Sequence, residues 1–253
     1  MKNILLEENQ KILALCSPSN TVYGFDFDGT LAPIVGNPDD ARISETTSAL
    51  LCELNAIATV AIITGRSIED VQPYLPFTPK YLVGNHGIEG ILDEVALKEI
   101  QTTMAGLKKL LLTAFEDDFR KYSIVVEDKI YSLSLHYRDA TVYEAAKSLV
   151  ENFMSQLSTY RIVKGKMVLN ILPNRGACKG SAFLKILRME NAQQGIFLGD
   201  DETDEDVFIL KDSKVIGIKV GPVERTHAAY FMEHQTDVNA LLEILLKHAK
   251  KDF

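Results

Sequence analysis

Val22-Tyr23-Gly24-Phe25-Asp26-Phe27-Asp28-Gly29-Thr30 is the stretch that decides the fold. An apolar run that ends in a loop is how a buried parallel strand delivers side chains to the rim of an α/β sheet. Two carboxylates at that rim, two residues apart, repel each other unless a cation sits between them. Gly29 permits a sharp turn after them, and Thr30 adds a hydroxyl. A cation, paired carboxylates and a tight turn point to phosphoryl chemistry. Two plainer readings use the same residues. The Asp-x-Asp-Gly pattern also opens EF-hand calcium loops, but those need a Glu at position 12, where this chain has Asn37. The other is an ordinary Asx-rich turn after a strand.

The 253 residues suffice for one large α/β domain or two unequal ones. A net charge of −8, with no basic run or interleaved aromatic platform, argues against a nucleic-acid groove. Cys16, Cys52 and Cys178 are odd in number and lack CxxC spacing, so neither a disulfide framework nor a zinc site is expected. They read as buried thiols. Residues 1–8 turn acidic before any long apolar core, and no stretch reaches ~18 apolar residues, so neither a signal peptide nor a membrane span is visible. A soluble, cytoplasmic monomer is expected, acting on a small molecule without nucleic acid or membrane.

Hydrophobic periodicity divides the chain. Residues 4–15 and 44–55 read as helices, with strands over 21–25, 59–64 and 81–83. Ser67-Ile68-Glu69-Asp70 starts a short helix. Strand–helix alternation of this kind means a parallel sheet with right-handed crossovers. The middle differs: helix 96–119, strands 122–127 and 129–138, helix 141–157, then strands 160–163 and 166–172. That order predicts a separate α+β domain with an antiparallel-rich sheet and two helices. Alternation resumes with helix 177–189, strand 195–198, an acidic run over 199–206 in which Thr203 begins a capping pattern, strand 214–220 and a closing helix over 237–249. The expected division is a core of residues 1–90 and 174–253 around an insert of residues 91–173.

In doubly wound sheets, ligands bind outside the carboxyl ends of the strands. Four sites fall there. Asp26 and Asp28 form the first. Thr64, whose hydroxyl can donate to a phosphate oxygen, follows the second strand, with Gly65 leaving backbone room. Lys179 begins a helix, where a fixed cation can neutralise phosphate. Asp200, Asp201 and Asp204 follow strand 195–198. Singly, each has a bland reading as a strand end, a solvated cation or a water-facing helix start. In this order they form a set.

That set resembles the haloacid-dehalogenase superfamily of phosphohydrolases. More narrowly, DFDGTLAPI (26–34), TGRS (64–67), GNHGIE (84–89) and GDDETDEDVF (199–208) resemble the trehalose-6-phosphate phosphatase family. The resemblance implies a Rossmann-like parallel-sheet core with an inserted cap, and a sugar phosphate as substrate. It also implies Asp26 as nucleophile, forming an aspartyl-phosphate, and Asp28 as general acid and then base. Mg²⁺ would be held by Asp26, the Asp28 backbone carbonyl and Asp200. Thr64 and Lys179 would hold the phosphoryl oxygens. Asp201 and Asp204 would tune the metal waters and orient Lys179.

The cap would choose the substrate. Period-2 counting places Ser132, Ser134, His136 and Arg138 on one face of a strand, and Lys166 and Asn170 on one face of another. A solvated outer face has the same pattern; the resemblance favours a substrate-facing one. Arg66, Asn85 and His86 lie at the expected seam, where phosphate or sugar is in reach. The family usually has Glu where Asn170 stands and a basic residue where Leu172 stands, so a related sugar phosphate is an alternative. A phosphomutase would need a second phosphate site, and no extra basic cluster suggests one. A receiver domain would be half this length without an insert. A catalytically weak sugar-phosphate sensor is the remaining alternative.

Overall fold

Runs such as Thr21–Phe25, buried at every position, must be covered on both faces, and a parallel sheet between helices does this. The computed structural model describes residues 1–140, 142–154, 157–165, 167–174, 177–212 and 214–249, leaving aside the side chain of Met154. In chain order the elements are β1 (Lys2–Asn3), β2 (Thr21–Phe25), α1 (Glu45–Ile57), β3 (Thr59–Ile63), α2 (Ile68–Val71), β4 (Tyr81–Val83) and α3 (Glu94–Tyr122). Then come β5 (Val125–Asp128), β6 (Leu133–His136), α4 (Tyr143–Met154), β7 (Tyr160–Gly165), β8 (Val168–Pro173) and α5 (Lys179–Met189). The chain closes with β9 (Gln194–Gly199), α6 (Glu205–Phe208), β10 (Val215–Val220), β11 (Tyr230–Met232) and α7 (Val238–Ala249).

The chain divides into two compact units, Met1–Ile91 with Cys178–Phe253, and Leu92–Ala177. The cuts lie one and four residues beyond the expected 90/91 and 173/174. In the first unit seven parallel strands run in the order β1-β11-β10-β9-β2-β3-β4. The order reverses at β2, so the carboxyl ends of β2, β3 and β9 lie side by side, the crevice where such sheets place ligands. One large cluster, including Tyr23, Phe25, Ile62, Leu198, Leu241 and Leu245, fills the space between sheet and helices. Ser44 caps α1 by accepting from Thr47 N at 3.1 Å, and Ser67 caps α2 by accepting from Asp70 N at 3.1 Å.

The second unit is an antiparallel sheet in the order β5-β6-β8-β7 with α3 and α4. Leu133, Leu135, Leu169 and Ile171 occupy one face and are buried, as are Met104, Leu107 and Leu111 of α3. Phe115 of α3 meets Phe153 of α4 edge-on at 5.1 Å between ring centroids.

Several expected elements differ. Residues 4–15 are not one helix. The Asn3 side chain accepts from Leu5 N (2.9 Å), Asn9 Nδ2 donates to Asn3 O (2.8 Å) and Gln10 Nε2 donates to Leu5 O (2.7 Å). These bonds compete with a helical ladder, and only a 3₁₀ segment, Gln10–Leu15, forms. β1 and β11 are too short for any periodicity to announce them. α3 runs past residue 119 because Ser123 takes a left-handed C-cap (φ 55°), so the strand expected from 122 begins at 125. The strand expected over 129–138 is only Leu133–His136. Asp128 Oδ1 accepts from Ile130 N at 2.8 Å and Ile130 takes φ 68°, which lengthens the turn. α6 begins after Asp204, not at Thr203, whose hydroxyl donates to Asp201 Oδ1 at 2.7 Å instead of capping the helix.

Candidate active site

β2 ends at Phe25, and the Asp26 amide still donates to Leu198 O at 2.9 Å, continuing the ladder with β9. That bond fixes Asp26 at the sheet rim. Gly29 takes φ 81°, a left-handed conformation that glycine adopts without strain, and the chain folds back through Gly29 N to Ala32 O (2.7 Å). A Cβ at Gly29 would collide with the Asp200 carboxylate, so this turn is also where the acidic loop after β9 closes on the first loop. Thr30 Oγ1 donates to Asp200 Oδ1 at 3.4 Å.

Lys179 is at the centre. Cys178 and Ser181 form a reciprocal cap at the start of α5, which places Lys179 in the first turn. A cation there opposes the helix dipole, so carboxylates must hold it. Its Nζ lies 2.9 Å from Asp26 Oδ1, 2.8 Å from Asp204 Oδ1 and 4.0 Å from Asp201 Oδ1. Burial alone would strip the proton from this ammonium, but Asp204 and Asp26 hold its pKa well above the usual lysine value. Burial pushes Asp26 up, and so do its carboxylate neighbours, against the pull of Lys179. Asp204 is fully buried and acts as a joint: its Oδ2 accepts from Asp200 N (2.8 Å) and Asp201 N (3.0 Å).

Thr64 follows β3 and is buried. Its hydroxyl oxygen accepts from Arg66 N at 3.2 Å, which leaves its proton to donate elsewhere. The loop after β4 braces this one: Asn85 N donates to Arg66 O (2.7 Å) and His86 N to Thr64 O (2.9 Å). The His86 ring lies over Gly65, and Gly87, at φ 104°, comes so close to Cys178 and Lys179 that a side chain there would displace the start of α5. Asn85 Nδ2 donates to Glu89 Oε2 at 3.0 Å, which also accepts from Ile68 N.

Asp26, Asp28, Thr64, Lys179, Asp200, Asp201 and Asp204 therefore meet in one place. Arg66 belongs to this place too, but its guanidinium is turned to Asp28 rather than left free for a ligand: Nε donates to Oδ2 and Nη2 to Oδ1, each at 2.7 Å. His136, Arg138 and Asn170 lie in the second unit. There His136 Nε2 and Glu127 Oε2 are 2.7 Å apart, Ser134 Oγ donates to Asn170 Oδ1 at 2.6 Å, and Arg138 is exposed. Lys166 lies outside the described residues.

Two residues of the core went unread in the sequence. Lys219 donates to the Asp200 carbonyl and is buried; a lone lysine in the apolar run Val215–Val220 is a signal that could have found it. Gln235 Nε2 donates to Thr30 O (2.9 Å) and Leu31 O (3.0 Å), and nothing in its local sequence announces that.

The acidic groups form a candidate cation seat on chemical grounds. Asp26, Asp201 and Asp204 each bring an oxygen within 4.8 Å of the others, an acidic triad of a kind that can hold a metal ion. Lys179 already supplies positive charge at that point. The Asp200 carboxylate, wedged on Gly29, is pushed up to about 7 by burial and by Asp201, against the pull of Lys179 and Lys219. An oxygen-only donor set of this kind fits a hard divalent cation.

A family model described as trehalose-phosphatase matches residues 24–236, a span that includes every candidate site residue named above. The chain belongs to the trehalose-phosphatase family. It is 31% identical over 251 residues to trehalose-phosphate phosphatase B of Arabidopsis thaliana, covering 91% of this chain and 67% of that one. It is 28% identical to probable trehalose-phosphate phosphatase 4 of Oryza sativa subsp. japonica, covering 97% and 71%. Family membership makes it a phosphoric monoester hydrolase. Among solved structures, a trehalose-6-phosphate phosphatase related protein superposes with a TM-score of 0.71 at 24% identity, covering 91% of this chain and 99% of that one. The sucrose-phosphatase of Synechocystis, solved with sucrose and phosphate, gives 0.59 at 18%, covering 90% and 98%. These two likenesses speak to the fold alone, a parallel-sheet α/β unit with a separate antiparallel sheet.

Proposed function

We propose that this protein is a Mg²⁺-dependent phosphatase that hydrolyses trehalose 6-phosphate to trehalose and phosphate through a phosphorylated Asp26. The observation that carries the reading is the Lys179 ammonium held between Asp26 and Asp204 at the carboxyl ends of β2 and β9, in a chain that belongs to the trehalose-phosphatase family. Lys179 takes Asp26 Oδ1, which leaves the other oxygen of that carboxylate to attack phosphorus. The Thr64 hydroxyl and the Lys179 ammonium hold the phosphoryl oxygens as charge spreads over them. Asp28 gives a proton to the departing sugar oxygen, then takes one from the water that opens the acyl-phosphate.

Mg²⁺ would be held by Asp26, the Asp28 carbonyl and Asp200, and bound there it would offset phosphoryl charge and align the reacting oxygens. The side of the loop facing Asp200 suits it, because the triad with Asp201 and Asp204 already shares an ammonium. Asp201 and Asp204 then order the acidic loop and Lys179. The α+β unit of residues 92–177 is the cap that selects the sugar, and the polar groups of Ser134, His136 and Asn170 on its sheet and of Arg138 in the turn after β6 suit that role; Lys166, the other residue expected to serve it, lies outside the described residues. Soluble, cytoplasmic operation as a monomer accompanies this reading; no helix among the described residues is long and apolar enough to cross a membrane.

The neutral Ser134–Asn170 pair favours one second reading, a related sugar phosphate in place of trehalose 6-phosphate. A phosphate-release screen over sugar phosphates, run with Mg²⁺ and with EDTA, decides between them. Release from trehalose 6-phosphate above all others, lost in EDTA and in Asp26→Asn, is the expected result. Full activity in EDTA or in Asp26→Asn would sink the mechanism.

A further inference from the structure

Asp28 and Arg66 form a two-pronged ion pair in the first unit, and the two partners are unequally held. The guanidinium forks onto both carboxylate oxygens at 2.7 Å, the geometry that fixes a carboxylate's plane as well as its position. Arg66 itself is held from every side. Its Nη2 also donates to Pro38 O at 2.8 Å, and Nη1 lies 3.4 Å from Asp70 Oδ2. Its guanidinium carbon sits 5.2 Å from the centre of the Phe27 ring and 5.3 Å from that of Tyr74. Its backbone is tied to Thr64 and Asn85. The Arg66 side chain is 6% exposed and that of Asp28 42%. The arginine is therefore the fixed part, and the carboxylate is the part that meets solvent or substrate.

Resting on the phosphatase reading above, we propose that Arg66 is the positioning residue of the acid/base carboxylate, acting on proton transfer through Asp28 and not by gripping the substrate. When the bond from phosphorus to the sugar oxygen breaks, its electron pair stays on that oxygen and the Asp28 proton moves to it, while Asp26 forms the new bond to phosphorus. Water later attacks phosphorus, its proton goes to Asp28, and Asp26 leaves as a carboxylate. Both transfers need Asp28 at a fixed angle, and an alkoxide-forming substrate needs the first of them most.

The test compares Arg66→Ala with the unaltered protein on trehalose 6-phosphate, whose leaving group needs a proton, and on p-nitrophenyl phosphate, whose leaving group does not. The expected loss in kcat on the sugar substrate is roughly 10²-fold, with KM little changed. The first-turnover burst of p-nitrophenolate should keep its rate, while later turnovers, which need Asp28 as base, slow. Added guanidinium ion should restore part of the sugar-phosphate rate, because it can re-form the fork. Tyr74→Leu, which removes one stacking face only, should show the same split at smaller size and covers the case in which Arg66→Ala does not fold. Equal losses on the two first turnovers, or a raised KM with kcat unchanged, would overturn the proposal and make Arg66 a substrate contact. If the unaltered protein released phosphate from neither compound with Mg²⁺, the phosphatase reading itself would fail, and the proposal with it.

Discussion

Gly29 shows how much one residue can carry. Its φ of 81° and its contact with the Asp200 carboxylate mean that any side chain would strain the backbone and push the second acidic loop off the first. The backbone part alone costs about 1 kcal/mol or more. Gly29→Ala should therefore lower thermal stability by only a few degrees, since an effect of this size shifts Tm by about 2–4 °C in a chain this long. Its main effect should be on the cation: the Mg²⁺ concentration that half-activates the enzyme should rise about 10–100-fold, as when a group supporting a metal ligand is lost. A Mg²⁺ titration of phosphate release checks this, and an unchanged midpoint would separate Asp200 from the ion. At this scale the sequence was informative about type and poor about partners. Asp26, Asp28, Thr64, Lys179 and Asp200 were visible because each ends a strand or begins a helix, where α/β sheets gather ligands. That Arg66 would fork onto Asp28, or that Gln235 would hold the carbonyls of Thr30 and Leu31, depends on side chains many residues apart in the chain, and no local period encodes such pairs.

Elements far from the reaction are secured by an equally specific contact. Glu190, at the carboxyl end of α5, accepts from Lys80 Nζ (2.6 Å), the Tyr81 hydroxyl (2.5 Å) and the Thr59 hydroxyl (3.1 Å), so one carboxylate joins α5 to the starts of β3 and β4. Burial would raise its pKa, but these donors bring it below the usual glutamate value. A carboxylate with a lowered folded-state pKa contributes stability that is complete above its unfolded pKa of about 4.3 and is lost as pH falls through the folded one. Glu190→Gln should therefore cost about 1 kcal/mol near neutral pH, allowing for the exposure of Lys80. The gap between the two proteins should narrow as pH drops below about 4. Urea unfolding at several pH values measures this; a gap that widened toward acid would reverse the sign and the explanation. Elements with a strong period, such as β2, β3, β9 and α7, were legible nearly to their ends. Those set by turn chemistry were not: Asn3 and Asn9 broke the expected first helix, and Ser123 and Ile130 moved the borders of α3 and β6 through left-handed backbone.

At the scale of the whole molecule, the chain's order of elements made two units recognisable: a parallel sheet interrupted by a helix-strand-strand repeat. The sheet order β1-β11-β10-β9-β2-β3-β4 brings residues 26–30, 64–66, 179 and 200–204 together from four separate stretches, and their shared geometry is what makes a nucleophilic carboxylate credible. The charge logic is collective. Four carboxylates meet two buried lysines, Lys179 on side chains and Lys219 on a carbonyl, and burial raises Asp26, Asp200 and Asp204 together. The most direct test is to quench the enzyme in acid during turnover of trehalose 6-phosphate with Mg²⁺ and to map added mass by peptide mass spectrometry. One phosphoryl group on the peptide carrying Asp26, absent in Asp26→Asn and in EDTA, is the predicted result. Turnover at full rate with no phosphoryl group on that peptide, or with one on another residue, would contradict it.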